Sequence, residues 1–389
     1  MKFSPLVDRI KGESVAAWTT HYEAREAQLR GEDVIVLSIG DPDLEMPAPV
    51  LERAIETLRA GDVRYTPAAG RPALREAIAQ THQRRTGQAV RADNVIFLSG
   101  AQNALFAASL CVAGPGDEVL AVEPLYPSYP ATIRASGAQL VRVPAPASGG
   151  FHPDLGALSA AITPRTRALF FATPNNPSGV ILSEQELQVI GDLARRHSLW
   201  IVADEVYAGL APGGRVPGLA MRLPDQVVTI SSLAKSHSLP GLRAGWMVGP
   251  VDLVKHAESL AMCMLFGLPG FIQEAALAAL NGSNAPELRV RELCTSRRDM
   301  LIKGLADVKG IRCAVPDAGM FTLIDVQGTG LSGYDFMSGL FRSERVSVLD
   351  GGAFGEATRG FVRLCFATDE ATLRESIVRI GRYVGSLAK

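Results

Sequence analysis

From about residue 50 the chain alternates two patterns: apolar residues at helical spacing, and short runs that are apolar almost without interruption. Leu51, Ala54, Ile55 and Leu58 recur every three to four residues and fall on one helical face. A second helix opens at Pro72, whose missing N–H is harmless in a first turn, and it turns Leu74, Ala77 and Ile78 inward. Compact runs follow at Val95–Leu98, Glu118–Val122, Gln139–Val143, Ala168–Ala172, Leu199–Ala203, Val227–Ile230 and Gly245–Val248. Several are nearly continuous in apolar residues, as strands covered by helices on both faces are. Helical patterns lie between them. Glu184–His197 has Ser183 as N-cap and Glu186 three residues on, a capping box. This alternation predicts an α/β domain with a mainly parallel sheet.

After about residue 285 the texture changes. A polar helix runs through Arg289–Lys303, strand-like pieces follow at Met320–Val326, Val346–Leu349 and Phe361–Phe366, and a closing helix starts at Ala371. That reads as a smaller α+β domain, with the N-terminal stretch to about Gly40 expected to join it. The partition is 1–45 for the N-terminal segment, 46–285 for the large domain and 286–389 for the small one. The apolar stretch Ser259–Ile272 is broken by Gly267, Pro269 and Gly270, short of the ~20 residues of a membrane span.

Composition narrows the function classes. With 39 Lys+Arg against 40 Asp+Glu the net charge is −1, which removes the broad electrostatic case for nucleic acid as a partner. Cys111, Cys263, Cys294, Cys313 and Cys365 are odd in number, scattered and form no CxxC, so they read as reduced thiols of a cytoplasmic protein. Asp8, Arg9, Lys11 and Glu13 stand where a signal peptide needs its apolar stretch. No GxxxxGK[ST] or GxSxG occurs, and the six histidines show no metal spacing.

The lysines carry the positive signal. There are seven, and between Lys11 and Lys255 the only one is Lys235, in Ser-Ser-Leu-Ala-Lys-Ser-His at the end of the run Val227–Ile230. The carboxyl edge of a parallel sheet is where α/β active sites form. An amine there, partly desolvated, attacks a carbonyl, which an arginine cannot do. A solvated loop lysine is the plain alternative, and its surroundings, four loops at four strand ends in all, weigh against it. Ser99-Gly100-Ala101-Gln102 follows a strand and opens a helix, so its free N–H groups suit a phosphate. Ser232 and Arg243 flank Lys235 at −3 and +8 with further phosphate donors. Asp204 and Tyr207 end one strand, and Asn175-Asn176-Pro177-Ser178-Gly179 ends another. Together they suit one phosphorylated carbonyl cofactor.

On these motifs the chain resembles the fold-type I pyridoxal-phosphate (PLP) enzymes of the class I/II aminotransferase group, from Gly40-Asp41-Pro42-Asp43 to Phe361-Val362-Arg363-Leu364. The resemblance implies a large domain with a mainly parallel seven-stranded sheet sandwiched by helices, plus a smaller α+β domain. It implies that Lys235 forms an imine with the cofactor and later shuttles the Cα proton, and that Asp204 keeps the pyridine nitrogen protonated. Tyr207 and Asn176 would bond the ring hydroxyl, and Tyr126 would stack on the ring. The Gly100, Ala101 and Gln102 backbone, Ser232 and Arg243 would hold the phosphate. Tyr65 resembles a tyrosine that reaches the neighbouring subunit's phosphate, which implies a homodimer with shared sites. Arg363, helped by Gly40, would grip the substrate α-carboxylate, and Asn176 would take part in substrate binding.

The expected reaction is ping-pong transfer of an α-amino group from an L-amino acid to a 2-oxo acid. Leu233–Gly241, Ala261–Gly267, Ala16-Ala17-Trp18 and Leu37–Asp43 are similar to arginine–pyruvate transaminases, implying a basic or neutral donor and pyruvate as acceptor. An aspartate-type aminotransferase is the nearest rival, and it needs a second cation that the sequence does not identify. A PLP-dependent carbon–sulfur β-lyase shares the fold and cofactor. A PLP-sensing DNA-binding regulator needs more than the roughly 40 residues ahead of Gly40.

Overall fold

The structure is a computed structural model that describes residues 1–11 and 15–387. Glu13 and the last two residues of the expected small domain lie outside that range. The strands are β1 (Ile35–Val36), β2 (Val95–Ser99), β3 (Glu118–Glu123), β4 (Gln139–Pro144), β5 (Thr166–Ala172), β6 (Trp200–Asp204), β7 (Val227–Ser232) and β8 (Ala244–Val248), then β9 (Arg312–Cys313), β10 (Phe321–Asp325), β11 (Val346–Ser347), β12 (Leu349–Asp350) and β13 (Phe361–Cys365). The helices are α1 (Pro5–Arg9), α2 (Val15–Leu29), α3 (Ala48–Arg59), α4 (Pro72–Thr86), α5 (Gly100–Val112), α6 (Tyr129–Ala135) and α7 (Leu155–Ala160), then α8 (Glu184–His197), α9 (Leu233–Ser236), α10 (Val251–Met264), α11 (Gly270–Asn281), α12 (Ala285–Leu305), α13 (Gly333–Glu344) and α14 (Glu370–Leu387).

Seven strands form one sheet in the order β2-β8-β7-β6-β5-β3-β4. Only β8 runs antiparallel to its neighbours. All seven apolar runs picked out in the sequence are strands of this sheet. Their continuity reflects cover on both faces: Ile96, Leu98, Phe170, Val202 and Ile230 pack under α5 and α10, while Leu120, Leu169, Ile201 and Val227 pack under α8. The capping box on α8 forms as expected, with Ser183 Oγ accepting from Glu186 N and the Glu186 carboxylate accepting from Ser183 N. Because β2, β3, β5, β6 and β7 are parallel, their carboxyl ends share one edge, and the start of β8 joins them there.

A second sheet, β12-β13-β10-β9, is antiparallel and packs against α12, α13 and α14. The N-terminal stretch reaches it: β1 pairs with β11, and the Cys365 amide donates to the Leu37 carbonyl. A bidentate ion pair between Asp43 and Arg297 of α12, at 2.7 and 2.8 Å, fixes the chain just past Gly40. No helix among the described residues is long and apolar enough to cross a membrane.

Three readings of the pattern change. Val346–Leu349 is not one strand but two: β11 pairs with β1, and β12 pairs with β13. The chain changes sheets with its side chains still buried, so hydropathy carries no mark of the switch. The polar helix is longer than expected, running from Ala285 to Leu305. In α3, Leu51, Ile55 and Leu58 do share a face, but that face is exposed and the helix buries Val50 and Thr57 instead.

Candidate active site

A cavity of about 700 Å³ opens at the carboxyl edge of the large sheet. Five strand ends deliver groups to it: Ala101 and Gln102 after β2, Tyr126 after β3, Asn176 after β5, Asp204 and Tyr207 at β6, and Ser232 and Lys235 at β7. Arg243 enters just before β8, while Gly40 and Arg363 reach the same cavity from the side of the small sheet. Residues as far apart in sequence as Gly40 and Lys235 touch: Lys235 Nζ donates to the Gly40 carbonyl at 2.6 Å. A second cavity, of about 600 Å³, lies behind the Lys235 loop against His237 and Val290, and none of the expected site residues lines it.

The polar groups are held in two chains. Asp204 is buried at the end of β6; its Oδ2 accepts from Tyr129 OH at 2.6 Å and its Oδ1 from the Val206 amide at 3.1 Å. Burial raises the Asp204 pKa, and these two donors oppose the rise. The other chain starts at Arg363, which is 1 % exposed. Its Nη1 donates to Asn176 Oδ1 at 3.0 Å, and its Nη2 donates to the Ser38 carbonyl at 2.6 Å. Asn176 Nδ2 in turn donates to Tyr207 OH at 3.3 Å. The guanidinium lies 4.1 Å from the centroid of the Phe321 ring. Its Nε is buried without a partner, a cost of about 1–3 kcal/mol unless a bound group changes the accounting. Around Lys235, burial lowers the amine's pKa, while Cys365 and Asp41 oppose the shift.

The other end of the cavity suits an anion. Helix α5 starts at Gly100, and its N-cap Ser99 makes no side-chain capping bond, so the first-turn amides are not claimed by a cap. Ser232 Oγ accepts from Ala234 N and keeps its own proton to donate. Arg243 sits in the left-handed region at φ 54°, with its guanidinium on the carbonyls of Pro240 and Ser99. Space there is closely shaped: a Cβ on Gly100 would overlap the Arg243 guanidinium, and one on Gly245 would overlap the Gly100–Ala101 backbone. An amine, a buried carboxylate and an anion-binding helix start in one cavity fit PLP, whose aldehyde, ring nitrogen and phosphate need those partners.

Two expected residues stand differently. Gly100 opens α5 but does not itself line the cavity. Tyr65 lies outside the cavity of its own chain, 87 % exposed and edge-on to Phe266. Conversely, Tyr129 and Phe321 line the cavity without having been singled out, and so do Trp18, Ile39 and Asp41, which stood only in segments marked by resemblance and had no site role. Tyr129 lies three residues after Tyr126 in a proline-punctuated loop, a spacing that puts both on one turn. Phe321 carries no local signal; only the tertiary fold brings it in.

Comparison with known proteins agrees with this geometry. Residues 32–380 match the family described as Aminotransferase class I and II. An arginine–pyruvate transaminase of Pseudomonas aeruginosa is 44 % identical over 98 % of this chain and 97 % of its own length. An aspartate aminotransferase of Bacillus subtilis is 30 % identical over 99 % of each chain. The solved structure of Thermus thermophilus aspartate aminotransferase with maleate superposes with a TM-score of 0.93 at 31 % identity, covering 98 % of this chain and all of that one. A near-complete family match and a fold shared end to end, with the amine, carboxylate and anion site in one cavity, lead to one conclusion: the chain belongs to the class I and II aminotransferases, fold-type I enzymes that depend on pyridoxal phosphate.

Proposed function

We propose that this aminotransferase takes its amino group from L-arginine or another basic or neutral L-amino acid and passes it to pyruvate or a similar 2-oxo acid. The observation that carries the donor class is the charge lining the cavity. Its cations among the described residues are Lys235, Arg243 and Arg363, and each has another task in this reading. An acidic donor would need a further cation for its distal carboxylate. The aspartate aminotransferases among the relatives keep that alternative in view, and the carbon–sulfur β-lyase reading has no observation in its favour. The 44 % identity to an arginine–pyruvate transaminase supports the donor and acceptor pair.

The roles follow from where each side chain sits. Lys235 attaches the cofactor and then, as a free amine, removes the proton from the donor's Cα; burial favours its neutral form for that task. Asp204, oriented by Tyr129 and the Val206 amide, holds the ring nitrogen protonated, and Tyr126 packs on the ring. Asn176 and Tyr207 serve the ring hydroxyl. The Gly100, Ala101 and Gln102 backbone, Ser232 and Arg243 hold the phosphate. Arg363, already aimed by Asn176 and Ser38, takes the α-carboxylate with help from Gly40. When bound, PLP supplies the carbonyl that accepts the amino group and the ring that withdraws electrons from Cα.

The same reading takes residues 46–285 as the large domain, 286–389 as the small one, and 1–45 as a segment packing on the latter. It takes the protein as cytoplasmic and as a homodimer in which Tyr65 of each copy completes the other copy's phosphate site; the exposure of Tyr65 supports this. The test is isotopic. With α-¹⁵N-arginine and unlabelled pyruvate, the enzyme should yield ¹⁵N-alanine and the guanidino 2-oxo acid in equal amounts. Label found in free ammonia instead would sink the transaminase reading in favour of a lyase, and no turnover of arginine would sink the donor.

A further inference from the structure

The contacts that aim Arg363 run out of the cavity into the N-terminal segment. Arg363 Nη2 donates to the Ser38 carbonyl, and two residues on, the Gly40 carbonyl accepts from Lys235 Nζ. The stretch from Ser38 to Gly40 therefore touches both the arginine and the lysine of the site. Its entry is pinned through Leu37, whose amide donates to the Ser347 carbonyl and whose carbonyl accepts from the Cys365 amide, each at 2.8 Å. Its exit is closely packed, since a Cβ on Gly40 would overlap the Phe321 ring. The fully buried side chain of Ser38 is the remaining anchor.

Ser38 Oγ has two partners. Ser347 Oγ of β11 donates to it at 2.9 Å, and His21 Nδ1 of α2 lies 2.8 Å from it. With the Ser347 hydroxyl already donating, the Ser38 proton is left for the imidazole, which accepts it in its neutral form. Burial lowers the His21 pKa, and the charges of Arg25 and Arg363 lower it further, so the ring is kept neutral. Trp18 and Tyr22 meet that ring edge-on, with centroids 5.5 and 5.6 Å away. His21 is 7 % exposed, so its bond to Ser38 is shielded from water. A buried hydroxyl left without its acceptor is destabilised until it finds another, and the peptide that carries it shifts in doing so. At Ser38 that peptide carries the carbonyl under Arg363.

We propose that His21 is a positioning residue for substrate binding: through Ser38 it holds in place the carbonyl on which the Arg363 guanidinium rests. The inference rests on the reading of Arg363 as the partner of the α-carboxylate. The test is the first half-reaction of PLP-loaded enzyme, followed by stopped-flow absorbance with whichever L-amino acid of a panel converts it fastest, so that no donor is presumed. Its concentration dependence gives a dissociation constant and a maximal rate. His21→Leu should raise the dissociation constant about tenfold and leave the maximal rate within about twofold. His21→Asn, whose amide can stand where Nδ1 stands, should restore binding to within about threefold of the wild type. Ser38→Ala keeps the carbonyl and loses the hydroxyl, so it should weaken binding as much as His21→Leu does, and the two together no more than either. In an Arg363→Gln background, His21→Leu should have no further effect. A dissociation constant that either His21→Leu or Ser38→Ala leaves unchanged overturns the proposal, and so does an equal loss with and without Arg363. Should His21→Leu fail to fold, Ser38→Ala decides alone. If Arg363→Gln by itself leaves binding unchanged, the carboxylate reading falls and the proposal with it, a result distinct from the other two.

Discussion

Asp204 is a buried carboxylate at the end of a buried strand, so its charge depends on two donors. Tyr129→Phe removes the 2.6 Å bond and leaves the carboxyl more basic, so the proton shared with the ring nitrogen shifts toward Asp204. The expected outcome is a kcat about tenfold lower, with a displaced ¹⁵N resonance of labelled cofactor, the readout that separates tuning from damage. Arg363→Gln leaves Asn176 and Ser38 without their guanidinium and should raise the KM for donors about 100-fold, measured by steady-state kinetics. Glu205, next to Asp204, has no place in the mechanism. Burial pushes its carboxyl up to about 8; Arg85 works against this rise and Asp204 adds to it. Because the folded pKa lies above the ordinary 4.5, the native state holds a proton that the unfolded chain has released between those values, and stability falls as pH rises through them. Between pH 6.5 and 8 the wild type should lose roughly 2 kcal/mol relative to Glu205→Gln in urea unfolding of cofactor-free protein. An unchanged difference would contradict the burial.

At the scale of elements, most strands were legible because a strand covered on both faces needs apolar residues at consecutive positions, which the runs of the inner strands had; the edge strand β4 carries Gln139 and Arg142. The helix α8 was legible to the residue at its start, since a capping box is local chemistry. Where pairing partners decide, as at the break between Ser347 and Leu349, nothing local distinguishes one strand from two. The site was readable to the extent that loops carry it: Lys235, Asp204, Asn176 and Ser232 stand at strand ends in short motifs. The bond from Arg363 to Asn176 spans 187 residues, and only the folded chain brings the two together. Helix α5 packs closely on β8. Gly245→Ala would drive a methyl into the Gly100–Ala101 backbone and push the first turn of α5 off its position. The expected result is PLP affinity weaker by about 100-fold with the far-ultraviolet dichroism unchanged, checked by cofactor titration.

Among the described residues, helix α3 carries an apolar face without a partner in its own chain. Leu51, Ile55 and Leu58 of α3 are exposed, and so are Val63, Tyr65 and Phe266. In the homodimer proposed above, this outward-facing periodic apolar stripe is the expected contact with the second copy. Leu51→Lys with Leu58→Lys should therefore give a monomer in analytical ultracentrifugation, with weakened PLP binding; a dimer that persists would place the interface elsewhere. The central claim is that Lys235 carries PLP at a sheet edge built to strip an amino group from one substrate and give it to another. The most direct measurement is the absorbance spectrum of PLP-loaded protein, recorded alone, after L-arginine, and after pyruvate is added. The account predicts the visible band of the lysine-bound cofactor, its replacement by the pyridoxamine phosphate band with arginine, and its return with pyruvate. Protein that shows no lysine-bound band in excess PLP would contradict it.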